Sequence, residues 1–312
     1  MDVFASQTKT TGPNKMVLYK VQLTPQSKFA TSVRGDTLFG QLCWGMVHRY
    51  GSQRLSELLD QYDRAPFAVV SDGFAPGYLP KPSLPGYLLG ESAETKKLNR
   101  KKHWLTPEDL HQGRFDQAKT DAEVGFRDDM ALVTHNSINY LSFRTDGDMF
   151  SPYGSVESVI STREVYWLID ETQVDIDQIW SAMDAVGQMG YGKEASIGKG
   201  RFVLSEPTPT HLPIEGNTFV ALSPISIEET DAVQVWYEPF TRFGKHGDSR
   251  ARKAPFKRPV LMADTGAVLQ MDQRRSLMFA GKALRNVSTL YPDTVHQGYA
   301  IMTSMEGKQW DR

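Results

Sequence analysis

Cysteine is nearly absent from this chain: Cys43 is the one thiol in 312 residues. A disulfide framework within the chain is thereby excluded, as is a zinc site built on several thiolates. A reducing, cytoplasmic setting is the natural expectation. Long apolar runs are missing too. No stretch approaches the roughly 20 residues of a membrane-spanning helix, and no signal-peptide pattern opens the sequence, so no membrane partner is expected. Nor is there an excess of one charge, the formal net charge being −2. Acids and histidines at metal-ligand spacing are also lacking. Asp128-Asp129 and Asp146/Asp148 read as surface turns, so neither a metal nor a cofactor is expected.

What is present suits folded domains: 40% hydrophobic and 23% charged residues, over a length fit for two cores. Residues 1–15 are polar without periodicity and read as a flexible extension. Met16 to Thr24 then alternates, with Val17, Tyr19, Val21 and Leu23 on one face, as a half-buried strand does. Asp36 is placed to cap a helix carrying Phe39, Leu42, Cys43, Met46 and Tyr50, with Gly51 at its C-terminal end and a further helical turn or two to Tyr62. Phe67 to Val70 reads as a strand. Residues 73–130, rich in Pro and Gly at first, read as an insertion, partly helical around Pro107 to Gln112. Thr162 to Ile169 is a strand. A helix follows from the N-cap Asp175 through Ile179, Met183 and Val186, and Arg201 to Leu204 starts another strand. The order strand–helix–strand, strand–helix–strand is the β-α-β-β-α-β plan of a ferredoxin-like α+β domain, here spanning 16–206. Residues 207–312 form a second, β-rich domain with strands at Thr218 to Leu222, Val233 to Tyr237, Pro259 to Met262, Ala267 to Gln270 and Gly298 to Thr303.

Between the second helix and its strand lies 187-GQMGYGKEASIGKGRF-202, with five glycines. Gly187 to Lys193 imitate a nucleotide-binding P-loop, but there the glycines follow a strand and open a helix. Here the order is reversed, and Glu194 replaces the magnesium-binding hydroxyl. A glycine-rich helix-to-strand turn without ligand is one alternative. A loop for a polyanion backbone is the other: Lys193, Lys199 and Arg201 offer cations, and the Gly198 and Gly200 amides offer neutral donors. Two basic clusters point the same way. Lys96 to Lys102 holds five basic residues, and Arg242 to Arg258 holds seven with one acid, Asp248. A solvated surface or an acidic protein neighbour would account for them equally.

Several segments in order carry a family resemblance. A glycine-rich loop after the last helix of a ferredoxin-like domain is the hallmark of the RAMP superfamily of CRISPR proteins. The segments 34-RGDTLFGQLCW-44, 135-HNSINYLSFRTDGDMFSPY-153, 257-KRPVLMADTGAVL-269 and 296-HQGYAIMT-303 resemble, in order, its Cas-five-type branch in type III-A Csm complexes, the subunit-four family. Tyr140 stands where that family has an arginine, and the insertion 73–130 has no counterpart. The resemblance implies two RAMP domains of ferredoxin-like fold with antiparallel sheets. It implies a non-catalytic subunit that caps a crRNA-guided ribonucleoprotein in antiviral defence and holds the 5′ repeat-derived tag. Its partners would be the large polymerase-like subunit and a backbone RAMP subunit, with target RNA met only indirectly. RNA contacts are then expected at Arg34 and Gln41 beside the first helix, and at Asn136, Ser137 and Arg144. The glycine loop would add Lys193, Ser196, Ile197, Gly198, Lys199, Gly200 and Arg201. A loop that orders on binding would add Lys245, His246, Arg250, Arg252 and Lys253. The same role in a III-B or III-D complex is open, as is a metal-free RAMP endonuclease working through His48, His103 or His135.

Overall fold

The alternating segment forms strand β1 (Met16–Pro25) in the computed structural model, which describes residues 16–145, 151–228, 230–253 and 255–306. Helix α1 (Gly35–Asp60) follows and is broken at Gly51, whose φ of 85° interrupts it. Asp36 does not cap it. Arg34 holds the N-cap position without a side-chain bond, and the free Gly35 N–H is taken by Asp72 Oδ1 at 2.8 Å. A carboxylate 37 positions away does the work of a local cap. Strand β2 (Ala68–Val70) is buried throughout. The insertion supplies β3 (Leu79–Pro80), α2 (Lys96–Asn99), β4 (Lys102–Leu105), α3 (Pro107–His111) and β5 (Lys119–Thr120). The three strands make a small sheet of their own. Helix α3 starts as expected, with Thr106 Oγ1 accepting the Asp109 N–H and proline in the first turn.

A long hairpin comes next, β6 (Asp128–His135) and β7 (Tyr153–Ile160), paired from Asp128↔Ile160 to His135↔Tyr153. The core sheet resumes with β8 (Arg163–Asp170), α4 (Ile176–Met189), β9 (Phe202–Leu204) and β10 (Thr208–Pro209). Asp175 caps α4, accepting the Asp177 N–H at 2.9 Å. The sheet runs β2-β8-β1, and both β9 and β10 pair with the far edge of β1, all antiparallel. Helices α1 and α4 cross closely at Gly45, where a Cβ would lie 3.0 Å from the Ala182 carbonyl carbon.

The remaining chain is β11 (Glu215–Ala221), β12 (Ala232–Trp236), β13 (Pro239–Arg242), β14 (Val260–Ala263), β15 (Val268–Ser276), β16 (Phe279–Leu284) and β17 (His296–Met305). Five of these form a sheet ordered β12-β15-β11-β17-β16, while β13 and β14 make a separate ribbon. Among the described residues no α-helix lies beyond Met189. The helices expected of a second ferredoxin-like unit are thus absent from the described residues beyond Met189, where antiparallel strands predominate. No helix of the described residues is long and apolar enough to cross a membrane.

Every residue of β17 is buried, because it lies against α1 and β2 as well as within its own sheet. The Gln297 amide accepts the Val70 N–H at 3.0 Å and donates to the Val70 carbonyl at 2.9 Å. It closes the outer edge of β2 as a neighbouring strand would. One hydrophobic core accordingly runs from Val21 and Leu168 to Val220 and Tyr299.

Two buried ionisable groups at this junction make opposite use of pH. Burial pushes His296 down to about 4 from the usual 6.5. Below pH 6.5 the unfolded chain takes up a proton that the folded one refuses, so stability falls until pH 4. Burial pushes Asp72 up to about 6 from 3.8. Its folded form protonates first as pH drops, so stability rises between pH 6 and 3.8. At roughly 1.36 kcal/mol per pH unit each contributes about 3 kcal/mol, and they nearly cancel. We expect H296Q to unmask Asp72. Relative to the unaltered chain, it should gain about 3 kcal/mol between pH 6.5 and 4 in urea unfolding. Parallel pH profiles for the two proteins would contradict this.

Candidate nucleic-acid interface

Helix α4 ends at Gly190, whose φ of 111° turns the chain and whose N–H reaches the Val186 carbonyl at 2.7 Å. The loop that follows is tied down strand by strand. Tyr191 N–H donates to Gly200 O at 2.9 Å, Gly200 N–H to Lys28 O at 2.8 Å, and Gln26 N–H to Arg201 O at 2.7 Å. Lys193 N–H meets Thr31 Oγ1 and Arg201 N–H meets Ser27 Oγ, each at 2.9 Å. Gly198 N–H closes a short turn onto Ala195 O at 2.9 Å. The expectation that the Gly198 and Gly200 amides serve a ligand is thus corrected: both are spent inside the fold. Gly200 is needed for close approach instead, while Gly198 supplies a positive φ of 89°. A Cβ on Gly200 would fall inside the Tyr191 carbonyl oxygen.

Lys199 is not free either. Its Nζ lies 2.7 Å from Oε1 of Glu157, a residue of β7 with 1% exposure, and Lys28 Nζ lies 3.3 Å from Oε2. The Lys199 ammonium holds the Glu157 carboxyl below its usual range. Glu194 accepts a 2.5 Å bond from Ser155 Oγ, which holds it low as well. Lys193 Nζ touches both Ser155 and Glu194. His135 Nε2 approaches Glu157 at 3.3 Å and Glu194 at 3.9 Å. The hairpin is thereby fastened to the glycine loop. What the loop turns outward is Lys193, Ser196, Ile197 and Arg201.

Beyond His135 and Tyr153, which stack at 5.6 Å, the turn of the hairpin projects. Asn136 and Ser137 are exposed, and Asn139 N–H bonds to Arg144 O at 2.9 Å. Tyr140, Leu141 and Phe143 are 86%, 96% and 82% exposed, an unusual grouping for aromatic and apolar side chains. Asp146 and Asp148 lie outside the described residues. Asn136 and Ser137 thus directly follow His135, which contacts Glu194 of the glycine loop, and Arg144 closes the projecting turn on Asn139.

Other expected positions fall elsewhere. Arg34 bridges Asp72 and Asp264 at 3.1 and 2.6 Å, a structural post between the sheets. Gln41 is half-buried on α1. The segment 245–253 is anchored rather than loose, contrary to expectation. Lys245 and Phe256 form a bridge with the ammonium 4.9 Å from the ring centre. His246 is buried on Ser288 Oγ at 2.9 Å, and Arg250 pairs with Asp293 and covers Tyr291. Gly247 abuts Trp44 of α1, and Asp248 pairs with His48 at 2.6 Å. Only Arg252 and Lys253 of its cations stand exposed without a partner among the described residues. Lys28, Ser155 and Glu157 were not anticipated. The pairing of β7 puts Ser155 and Glu157 on one buried face.

No family model and no curated protein matches this sequence. Solved structures do. A chain of the Csm1–Csm4 cassette crystallised with cA4 superposes with a TM-score of 0.62 at 19% identity, covering 94% of this chain and 99% of that one. The cassette with one ATP gives 0.58 at 20% identity, with the same coverage. A chain of the Csm3–Csm4 subcomplex of the type III-A CRISPR-Cas interference complex gives 0.56 at 13%, covering 91% and 98%. This chain therefore shares its backbone fold with chains of these type III-A Csm assemblies. At these identities the likeness is one of backbone architecture. The match extends over nearly the full length of both chains.

Proposed function

We propose that this chain is a non-catalytic subunit of a type III CRISPR effector that caps one end of the ribonucleoprotein and holds the 5′ tag of the crRNA. Its two domains, 16–206 and 207–312, are RAMP units, the first ferredoxin-like and the second reduced to its sheet. The observation that carries this reading is the Csm4-like fold along nearly the whole chain, joined to a cationic loop beside a projecting aromatic turn. Arg201 and Lys193 reach phosphates, while Tyr140 and Phe143 stack on splayed bases of a single strand. Arg252 and Lys253 form a second, weaker phosphate contact. On the hairpin, Met130, Leu132 and Val156 share one face at 73%, 74% and 51% exposure. That stripe suits a neighbouring protein subunit, the backbone RAMP protein, while the large polymerase-like subunit docks elsewhere on the chain.

Holding without cutting is supported by the state of the three candidate histidines. His48 is paired to Asp248, His103 to Asp121 and the Arg100 carbonyl, and His135 faces two carboxylates. The test uses the exposed cations, since Lys199→Glu would set a second carboxylate against buried Glu157. Arg201→Glu with Lys193→Gln is expected to weaken binding of a crRNA tag strand at least ~10-fold and to lower the salt slope by about two. Unchanged affinity and slope would remove the RNA-holding role. A discrete, metal-independent cut in repeat RNA would favour the endonuclease instead.

A further inference from the structure

We propose that His135, Glu157 and Glu194 bind a divalent transition-metal ion that clips the β6–β7 hairpin to the glycine loop. The three residues come from three segments: the end of β6, the middle of β7 and the loop after α4. One ligand atom from each lies within 4.8 Å of the others. His135 Nε2 is 3.3 Å from Glu157 Oε1 and 3.9 Å from Glu194 Oε2. Two ligands of one tetrahedral ion, each roughly 2.1 Å from it, stand roughly 3.4 Å apart. The observed spacing therefore needs only small side-chain adjustments to close on a shared ion.

A second observation points to a missing partner. His135 Nε2 and Glu194 Oε2 are sealed from solvent without a hydrogen-bond partner, while the equally sealed Glu157 oxygens meet the ammonium groups of Lys199 and Lys28. Buried polar atoms are rarely left so. Glu157, with 1% exposure, aims its carboxylate into this point. Lys199 Nζ stands 2.7 Å from its Oε1, the contact that a metal ion would replace. One imidazole nitrogen with two carboxylate oxygens is a donor set for Zn²⁺, Co²⁺ or Mn²⁺ rather than for a soft ion.

The surroundings resemble an outer shell. Ser155 Oγ–H fixes Glu194, Lys28 holds the other Glu157 oxygen, and Tyr153 stacks on the His135 ring. Lys199 is the competitor. Its side chain is 20% exposed, and on metal binding it leaves Oε1 for the loop surface.

The untagged full-length chain, stripped with chelator and titrated with Co²⁺, tests this. One saturable equivalent with visible d–d absorption is expected, displaced by Zn²⁺, and the melting temperature should rise with metal concentration. H135Q and E194Q should each weaken Co²⁺ at least ~10-fold, since loss of even an outer-shell partner costs roughly 10–100-fold. Folding of each variant is checked by circular dichroism. K199M should tighten binding by removing the competing ammonium. No saturable equivalent, or one left unchanged in both H135Q and E194Q, would overturn the proposal and leave the cluster as a lysine–carboxylate knot.

Discussion

Gly200→Ala is expected to cost on the order of 4 kcal/mol and to loosen the loop that carries Arg201. The residue sits at φ 71°, a backbone region that costs an ordinary residue ~1–3 kcal/mol. Its added methyl would also overlap the Tyr191 carbonyl oxygen and come within 2.6 Å of the Tyr191 nitrogen. Backbone cannot step aside as a side chain does, so overpacking adds a further ~1–3 kcal/mol. The Tyr191–Gly200 and Gly200–Lys28 hydrogen bonds would stretch with it. Gly198 is the internal control. It too has positive φ, 89°, but a Cβ there meets nothing within 4 Å. Gly198→Ala should therefore cost only the conformational part, about 1–2 kcal/mol. Chemical unfolding of both variants decides. Equal losses would mean that the close approach at Gly200 contributes nothing.

That contrast explains what the sequence could and could not disclose about the loop. Glycine density was visible, but glycines admit either a ligand or another stretch of the same chain. Here the fold uses Gly190 and Gly200 for itself, with Lys199 O and Tyr191 O as the atoms approached. The elements with strong periodicity were legible: β1, α1 with its break at Gly51, β8, and α4 with its Asp175 cap. The β6–β7 hairpin was not, because its outer face carries Met130, Leu132 and Val156 in the open, and an exposed ribbon lacks the polar alternation by which strands are read. The His135–Glu157–Glu194 meeting was invisible for a different reason. Its members stand 22 and 37 positions apart along the chain, and only the pairing register of the hairpin places them together. Local cations misled in the same manner: several that suggest a polyanion, such as Lys199, Arg34 and Arg250, are matched by a specific acid.

Arg34 gives the second large effect and separates structure from binding. Arg34→Ala is expected to destabilise the chain by about 3–5 kcal/mol near pH 7.5, the usual penalty for breaking a buried pair from one side. The guanidinium contacts Asp72 Oδ2 and Asp264 Oδ1 and lies 5.0 Å from the Phe240 ring centre. Asp72 cannot turn away, since it also accepts the Gly35 N–H at 2.8 Å and the Thr265 hydroxyl at 2.6 Å. Burial already pushes Asp72 up to about 6 against the pull of Arg34. Without that pull the folded-state value rises further, so the variant protonates Asp72 at higher pH and recovers stability as pH falls. The loss from Arg34→Ala should accordingly shrink between pH 7.5 and 5. Asp72→Asn in the same chain should restore part of it at pH 7.5, with a coupling energy that a double-mutant cycle reads directly. If Arg34 served RNA alone, stability would be untouched at every pH, and only affinity for the tag strand would fall. The two carboxylates that share its Nη1, one following β2 and one following β14, favour the first outcome: this arginine ties the core sheet to the β13–β14 ribbon.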